Sequence, residues 1–137
     1  MSKVIFASHG GLSKGMKDSV SMIVGPLAED VQTFSLLPGQ NPDDFYVELK
    51  QRVENSDESY MILCDIKGGS VHTALSKLAV YPNVTVFSGL NMGLALDAVM
   101  KSQMDTLDDS SFQQMVLDSQ AGITVMTGLD EAEDEEF

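Results

Sequence analysis

The chain is poor in cysteine, in positive charge and in long apolar runs. Cys64 is its only cysteine, and it sits inside the apolar run Tyr60-Met61-Ile62-Leu63-Cys64. A disulfide scaffold is excluded, and a small core thiol in a reducing compartment is expected instead. Lys and Arg together number 8 against 21 Asp and Glu, for a net charge of −13, and Arg52 is the only arginine. Without a basic patch to neutralise phosphates, nucleic acid is not a partner. No stretch approaches the roughly eighteen to twenty consecutive apolar residues of a membrane helix. Met1-Ser2-Lys3 leads into a short apolar run with no small-residue cleavage site, so no secretory signal is expected. Metal-ligand patterns are missing too: there is no Cys–His spacing of the zinc type and no acidic calcium loop.

What is present suits one domain. The chain has 137 residues, 43% of them hydrophobic, enough for one core and little more. We expect that domain over residues 1–127 and an acidic, disordered tail over 128–137, where Asp130, Glu131, Glu133, Asp134, Glu135 and Glu136 cluster. Taking those six acids from −13 leaves −7, so the body stays acidic, which favours encounter with basic protein partners.

Periodicity gives the element order. Val4 to Ala7 reads as a buried strand, broken by His9-Gly10-Gly11. Met16, Val20, Ile23, Val24 and Leu27 recur at helical spacing, with Ser13 placed to cap. Val31 to Leu36 is a second strand. Asn41-Pro42-Asp43-Asp44 starts a helix: a cap residue, proline at the first helical position and acids in the first turn. Tyr60 to Cys64 is a third strand, apolar throughout as in a sheet covered on both faces. Val71, Ala74, Leu75 and Leu78 follow on a helix, then Val84 to Phe87 as a fourth strand. Asn91 caps the next helix. Ser110 or Ser111 caps the last one, Gly122 ends it, and Ile123-Thr124-Val125-Met126 is a short closing strand. Repeated strand–helix alternation implies an α/β fold: a doubly wound, mostly parallel four-stranded sheet flanked by helices, with right-handed crossovers.

In such sheets, sites form at the carboxyl ends of strands near a change in strand order. Three loops meet that description: Ser8-His9-Gly10-Gly11, Asp65-Ile66-Lys67-Gly68-Gly69-Ser70 and Ser88-Gly89-Leu90-Asn91. Each carries glycine and feeds a helix N-terminus, where free N–H groups favour an anion. His9 is the strongest candidate for chemistry. One imidazole nitrogen can attack phosphorus if the other keeps its proton and is held by a carboxylate, which also stabilises the developing positive charge. Asp65 is the candidate for that carboxylate, a helix cap being the other reading of it. Gly68, Gly69 and Ser70, with Gly10, are placed to cradle phosphoryl oxygens. Lys67 is either added charge at the site or a solvated lysine. His72 is either a second site residue or an exposed helix histidine. Asn91 is a cap and a further possible site residue.

Three motifs carry a resemblance. They are Val4-Ile5-Phe6-Ala7-Ser8-His9-Gly10-Gly11-Leu12-Ser13-Lys14-Gly15-Met16, Asp65-Ile66-Lys67-Gly68-Gly69-Ser70 and Ser88-Gly89-Leu90-Asn91-Met92. In order and spacing the chain resembles, from Met1 to about Met126, the IIA domain of the mannose/fructose/sorbose class of the bacterial phosphotransferase system. The resemblance implies a cytoplasmic phosphocarrier that uses no cofactor beyond a covalent phosphohistidine. His9 then accepts a phosphoryl group from HPr and passes it to a cognate EIIB, which serves an EIIC/EIID sugar permease. It further implies that Asp65 orients and assists His9, that Ser70 contacts the phosphoryl group, and that the protein is a homodimer whose last strand can reach the partner subunit. The run Gly68-Gly69-Ser70-Val71-His72-Thr73 departs from the family's frequent Gly-Gly-Ser-Pro followed one residue later by Asn, with His72 replacing that Asn, and Gly93 stands where proline is frequent.

Other classes fit less well. A histidine phosphatase needs an arginine beside its nucleophile, and Ser8 stands there. A flavodoxin-like, non-catalytic module for a small phosphorylated ligand lacks a Ser/Thr-rich phosphate loop after the first strand. The phosphocarrier subunit of a dihydroxyacetone kinase usually shows Ser-His-Ser and further domains.

Overall fold

A computed structural model describes residues 1–128. Its order is β1 (Ser2–His9), α1 (Leu12–Val24), β2 (Gln32–Leu36), α2 (Pro42–Glu54), β3 (Ser59–Cys64), α3 (Ser70–Leu75), β4 (Val84–Ser88), α4 (Met92–Lys101) and α5 (Asp109–Ala121). Tight helical turns at Gly25–Ala28 and Ser76–Val80 extend α1 and α3. The expected α/β architecture is present, and all four strands run parallel in the order β2-β1-β3-β4.

The first crossover therefore leads outward from β1 to β2, and the second returns across β1 to β3. The change of direction lies between β1 and β3, where a parallel sheet opens a crevice at its carboxyl edge. Ala7 pairs with Cys64 and His9 with Leu36, so His9 and the residue after Cys64 flank that crevice.

Alternation along the strands divides the core in two. Val4, Phe6, Met61, Leu63 and Phe87 face Met16, Val20, Leu94, Ala98, Val99 and Met115 of α1, α4 and α5. Ile5, Ala7, Ile62, Cys64 and Val84 face Leu49, Val53, Val71, Leu75 and Leu78 on the other side. β1 and β3 are buried on both faces, which explains their unbroken apolar runs. Cys64 is a fully buried thiol, pushed up to about 12 by burial and by the neighbouring Asp65 charge. No helix among the described residues is long and apolar enough to cross a membrane.

Helix starts follow the expected chemistry at Asn41, whose side chain accepts from Asp43 N–H at 3.0 Å, and at Asn91, which accepts from Leu94 N–H at 2.8 Å. Two caps differ from expectation. α5 is capped by Asp108, whose side chain accepts from Ser111 N–H while the Ser111 hydroxyl oxygen accepts from Asp108 N–H. The reciprocal pair satisfies two helix-end donors, where a cap at Ser110 or Ser111 satisfies one. Ser13 lies inside α1, and its N–H is satisfied by the Ser8 hydroxyl at 2.8 Å.

The closing strand expected at 123–126 does not form within this single chain. These four residues form no strand with this sheet, and Ile123 and Val125 are 73% and 84% exposed. Their β-branched content supplies propensity, but a strand exists only where an edge supplies its hydrogen-bond ladder, and this segment pairs with neither of the sheet's edge strands, β2 and β4. The acidic tail lies outside the described residues, apart from its first position.

Candidate phosphoryl-transfer site

β1 runs two residues past its expected end, so His9 is its last residue and pairs with Leu36. Gly10 turns away at φ +58°, and its N–H donates to Leu36 C=O at 2.8 Å. The buried Ser8 hydroxyl donates to Gly10 C=O and accepts from Ser13 N–H, tying the turn to the first residues of α1. Ser13 Oγ in turn donates to Phe34 C=O on β2. The backbone under His9 is thus fixed from both neighbouring elements, by residues that sequence reasoning did not single out for this role. Their signal is faint, because it depends on the register of β1 against β2.

On the other side of the crevice, Asp65 follows β3 directly, and its N–H donates to Ala7 C=O at 3.1 Å. Its carboxylate does not cap α3. Oδ2 accepts from the His9 backbone N–H at 2.9 Å and from the His9 ring Nδ1–H at 2.8 Å, while Oδ1 accepts from Ile66 N–H at 3.0 Å. The side chain is only 9% exposed. Burial works against its charge, but those donors and the adjacent imidazole outweigh burial and hold Asp65 below its ordinary carboxylate value.

That contact assigns the tautomer. An ionised carboxylate only accepts, so Nδ1 carries the proton and Nε2 carries the lone pair. Nε2 lies 3.0 Å from Ser70 Oγ, the hydroxyl donating. The ring is 47% exposed, so Nε2 meets solvent and Ser70 together. Gly69 lies against the ring edge: a Cβ there stands 3.2 Å from His9 Cε1 and 2.7 Å from Ile66 Cγ2. The geometry combines a fixed imidazole, an open nucleophilic nitrogen, a carboxylate behind it and a hydroxyl in front.

His9, Asp65, Gly69 and Ser70 come together; the other candidates divide. Gly68 shapes the loop behind Gly69. His72 makes no hydrogen bond to His9 among the described residues; its Nδ1 accepts from Gly68 N–H at 3.1 Å. Lys67 is exposed and in no ion pair among the described residues. Asn91 is committed to capping α4. Arg52 bonds Gln32, four residues before the partner of His9 on β2, so no arginine stands beside the imidazole as a histidine phosphatase requires.

Cavities lie away from this site. Cavities of about 270 Å³ and 100 Å³ open at the amino edge of the sheet, lined by residues such as Ser2, Lys3, Glu58 and Tyr60. Neither includes His9, Asp65 or Ser70.

Residues 3–116 match the EIIA-man family, described as PTS system fructose IIA component. The chain is 35% identical over 111 residues to the PTS system sorbose-specific EIIA component of Klebsiella pneumoniae, covering 80% of this chain and 81% of that protein. The crystal structure of phosphotransferase system component EIIA from Streptococcus agalactiae superimposes with a TM-score of 0.79 at 28% identity, over 91% of this chain and 97% of that one. The mannose/sorbose specific IIA subunit from Enterococcus faecalis gives 0.78 at 25% identity, over 93% and 96%. Family match, sequence relative and parallel fold agree: this chain belongs to the EIIA family of the mannose/fructose/sorbose class of the sugar phosphotransferase system.

Proposed function

We propose that His9 Nε2 is the phosphoryl acceptor of this EIIA protein, taking the group from phospho-HPr and passing it to a cognate EIIB. One observation carries the reading: Asp65 fixes the proton on Nδ1 and leaves Nε2 as an exposed lone pair. In the forward step, Nε2 forms a bond to phosphorus as the bond from phosphorus to the donor's imidazole breaks, and the electron pair leaves with that imidazole. The proton on Nδ1 stays in place, so positive charge develops on the His9 ring 2.8 Å from a carboxylate. Ser70 Oγ, already at Nε2, is positioned to donate to a phosphoryl oxygen. Transfer to EIIB reverses these motions with a different acceptor. Covalent phosphohistidine is the only carrier this chemistry needs.

The open setting of His9 supports protein partners. A module that binds a small phosphorylated ligand usually encloses most of it in a cleft, whereas a group handed between proteins must be reachable by a second active site. Passage onward to an EIIC/EIID permease and a cytoplasmic location belong to the same proposal. So does a homodimer in which residues 123–126 pair with the partner's sheet, which their exposed Ile123, Val125 and Met126 support.

The test is incubation with phosphoenolpyruvate, enzyme I and HPr, followed by detection of acid-labile phosphate on the chain. Wild type is expected to take up label and His9→Ala none. Labelling of His9→Ala at the wild-type level overturns the proposal.

A further inference from the structure

We infer that His72 is a positioning residue for the His9 imidazole: it holds the Gly68 peptide, and through it the Gly69–Ser70 step, against the reactive ring. The inference rests on the reading of His9 as phosphoryl acceptor. His72 is the third residue of α3, and its ring reaches back one turn to accept from Gly68 N–H at 3.1 Å. A backbone N–H only donates, so Nδ1 of His72 carries the lone pair and its proton sits on Nε2. This is the tautomer opposite to that of His9. A free, solvated helix histidine has no reason to adopt one fixed ring position, whereas this ring is half-buried and bonded.

The neighbouring contacts give that bond its consequence. Gly68 stands at φ +78°, where the loop reverses before α3. Gly69 N–H closes the turn onto Ile66 C=O at 3.2 Å, and Thr73 N–H holds Gly69 C=O at 2.8 Å. Thr73 Oγ1 donates to Gly68 C=O at 3.4 Å. His72 and Thr73 therefore fix both polar groups of Gly68 from the first turn of α3. With its preceding peptide held by His72 and its following one by Thr73, Gly68 leads directly into Gly69, the residue beside His9 Cε1, and then into Ser70, the one bonded to Nε2. Asp65 locks one edge of the His9 ring from β3, and the loop clamped by His72 forms the other.

Side-chain chemistry supplies a clean substitution. Asn Oδ1 is as many bonds from Cα as His Nδ1, and it accepts a hydrogen bond. His72→Asn retains the clamp, and His72→Ala removes it. Label uptake from phospho-HPr is measured for both at limiting and saturating donor, together with melting temperature, Gly68 amide exchange and the ring nitrogen shifts of position 72 in wild type. Breaking one exposed hydrogen bond is expected to lower the rate at saturating donor about fivefold in His72→Ala, with recovery to within about twofold in His72→Asn. The half-saturating donor concentration and the melting temperature stay near wild type. Gly68 exchange quickens in His72→Ala alone, and wild-type Nδ1 resonates as unprotonated nitrogen.

A wild-type rate in His72→Ala overturns the inference. So does an equal loss in both variants, or a loss seen only at limiting donor, which makes His72 part of a docking surface. If wild type takes no label at all, the function reading fails, and the clamp is then judged by exchange: equal Gly68 exchange in wild type and His72→Ala overturns it.

Discussion

The loops after β3 and β4 look alike in sequence and differ in what they do. Each leaves a parallel strand, passes a glycine at positive φ (Gly68 or Gly89) and opens a helix with a polar residue nearby. After β3, Asp65 and Ser70 both turn to His9 on the neighbouring strand. After β4, Asn91 turns to its own helix and caps α4. The difference is set by the sheet. β3 pairs with β1, so its carboxyl end stands beside His9, while β4 pairs with β3 and lies one strand further out. A strand-end polar residue takes its meaning from the strand next to it, and strand order is the one property that local pattern does not carry.

The largest separation between the two loops is expected in transfer rate. Asp65→Ala removes a charge-assisted hydrogen bond and the fixed tautomer, which we expect to slow label uptake about 10- to 100-fold while the chain stays folded. Initial rates with phospho-HPr at fixed concentration measure it. An unchanged rate in a folded Asp65→Ala variant removes Asp65 from the mechanism and erases the contrast with Asn91.

Much of this arrangement is legible in the sequence. Buried strands, the Asn41-Pro42 helix start and the Asn91 cap follow from composition and spacing, because their causes lie within a few residues. His9 and Asp65 stood out because both fall at strand ends before glycine-rich loops. Less visible were features whose cause is distant or reciprocal. Ser8 satisfies α1 because β1 continues to His9, an extension stabilised by pairing with β2. Asp108 outcompetes Ser110 and Ser111 as a cap because Ser111 answers it. His72 reads as an exposed helix histidine or a second site residue, and sequence does not show its bond to a backbone N–H four residues earlier. Residues 123–126 have strand composition without a strand in this chain, because propensity alone does not bring a segment to a sheet edge.

The next contrast is in stability. Asn91→Ala removes a cap, and we expect it to cost about 1 kcal/mol in chemical denaturation while label uptake stays at the wild-type rate. A clear loss of rate in a folded Asn91→Ala variant places the third loop at the site after all and makes the two loops alike.

The smallest effect is a difference in pH dependence. Despite its burial, Asp65 titrates below its ordinary 3.8, because the backbone N–H of His9, the His9 ring and Ile66 N–H all favour its charged form. A carboxyl whose folded pKa is depressed stabilises the fold above its unfolded value, and that contribution disappears as pH falls through the folded one. Wild type and Asp65→Asn are therefore expected to differ in denaturation midpoint by a constant amount above about pH 5, with the gap closing as pH drops below about 4. Asn91 has no charge to titrate, so the penalty of Asn91→Ala relative to wild type holds steady over the same range. A wild-type to Asp65→Asn gap that persists unchanged to pH 2.5 or so means that the Asp65 contacts act by shape rather than by charge. The carboxylate would then be a packing element of the β3 loop, as the Asn91 amide is a capping element of the β4 loop.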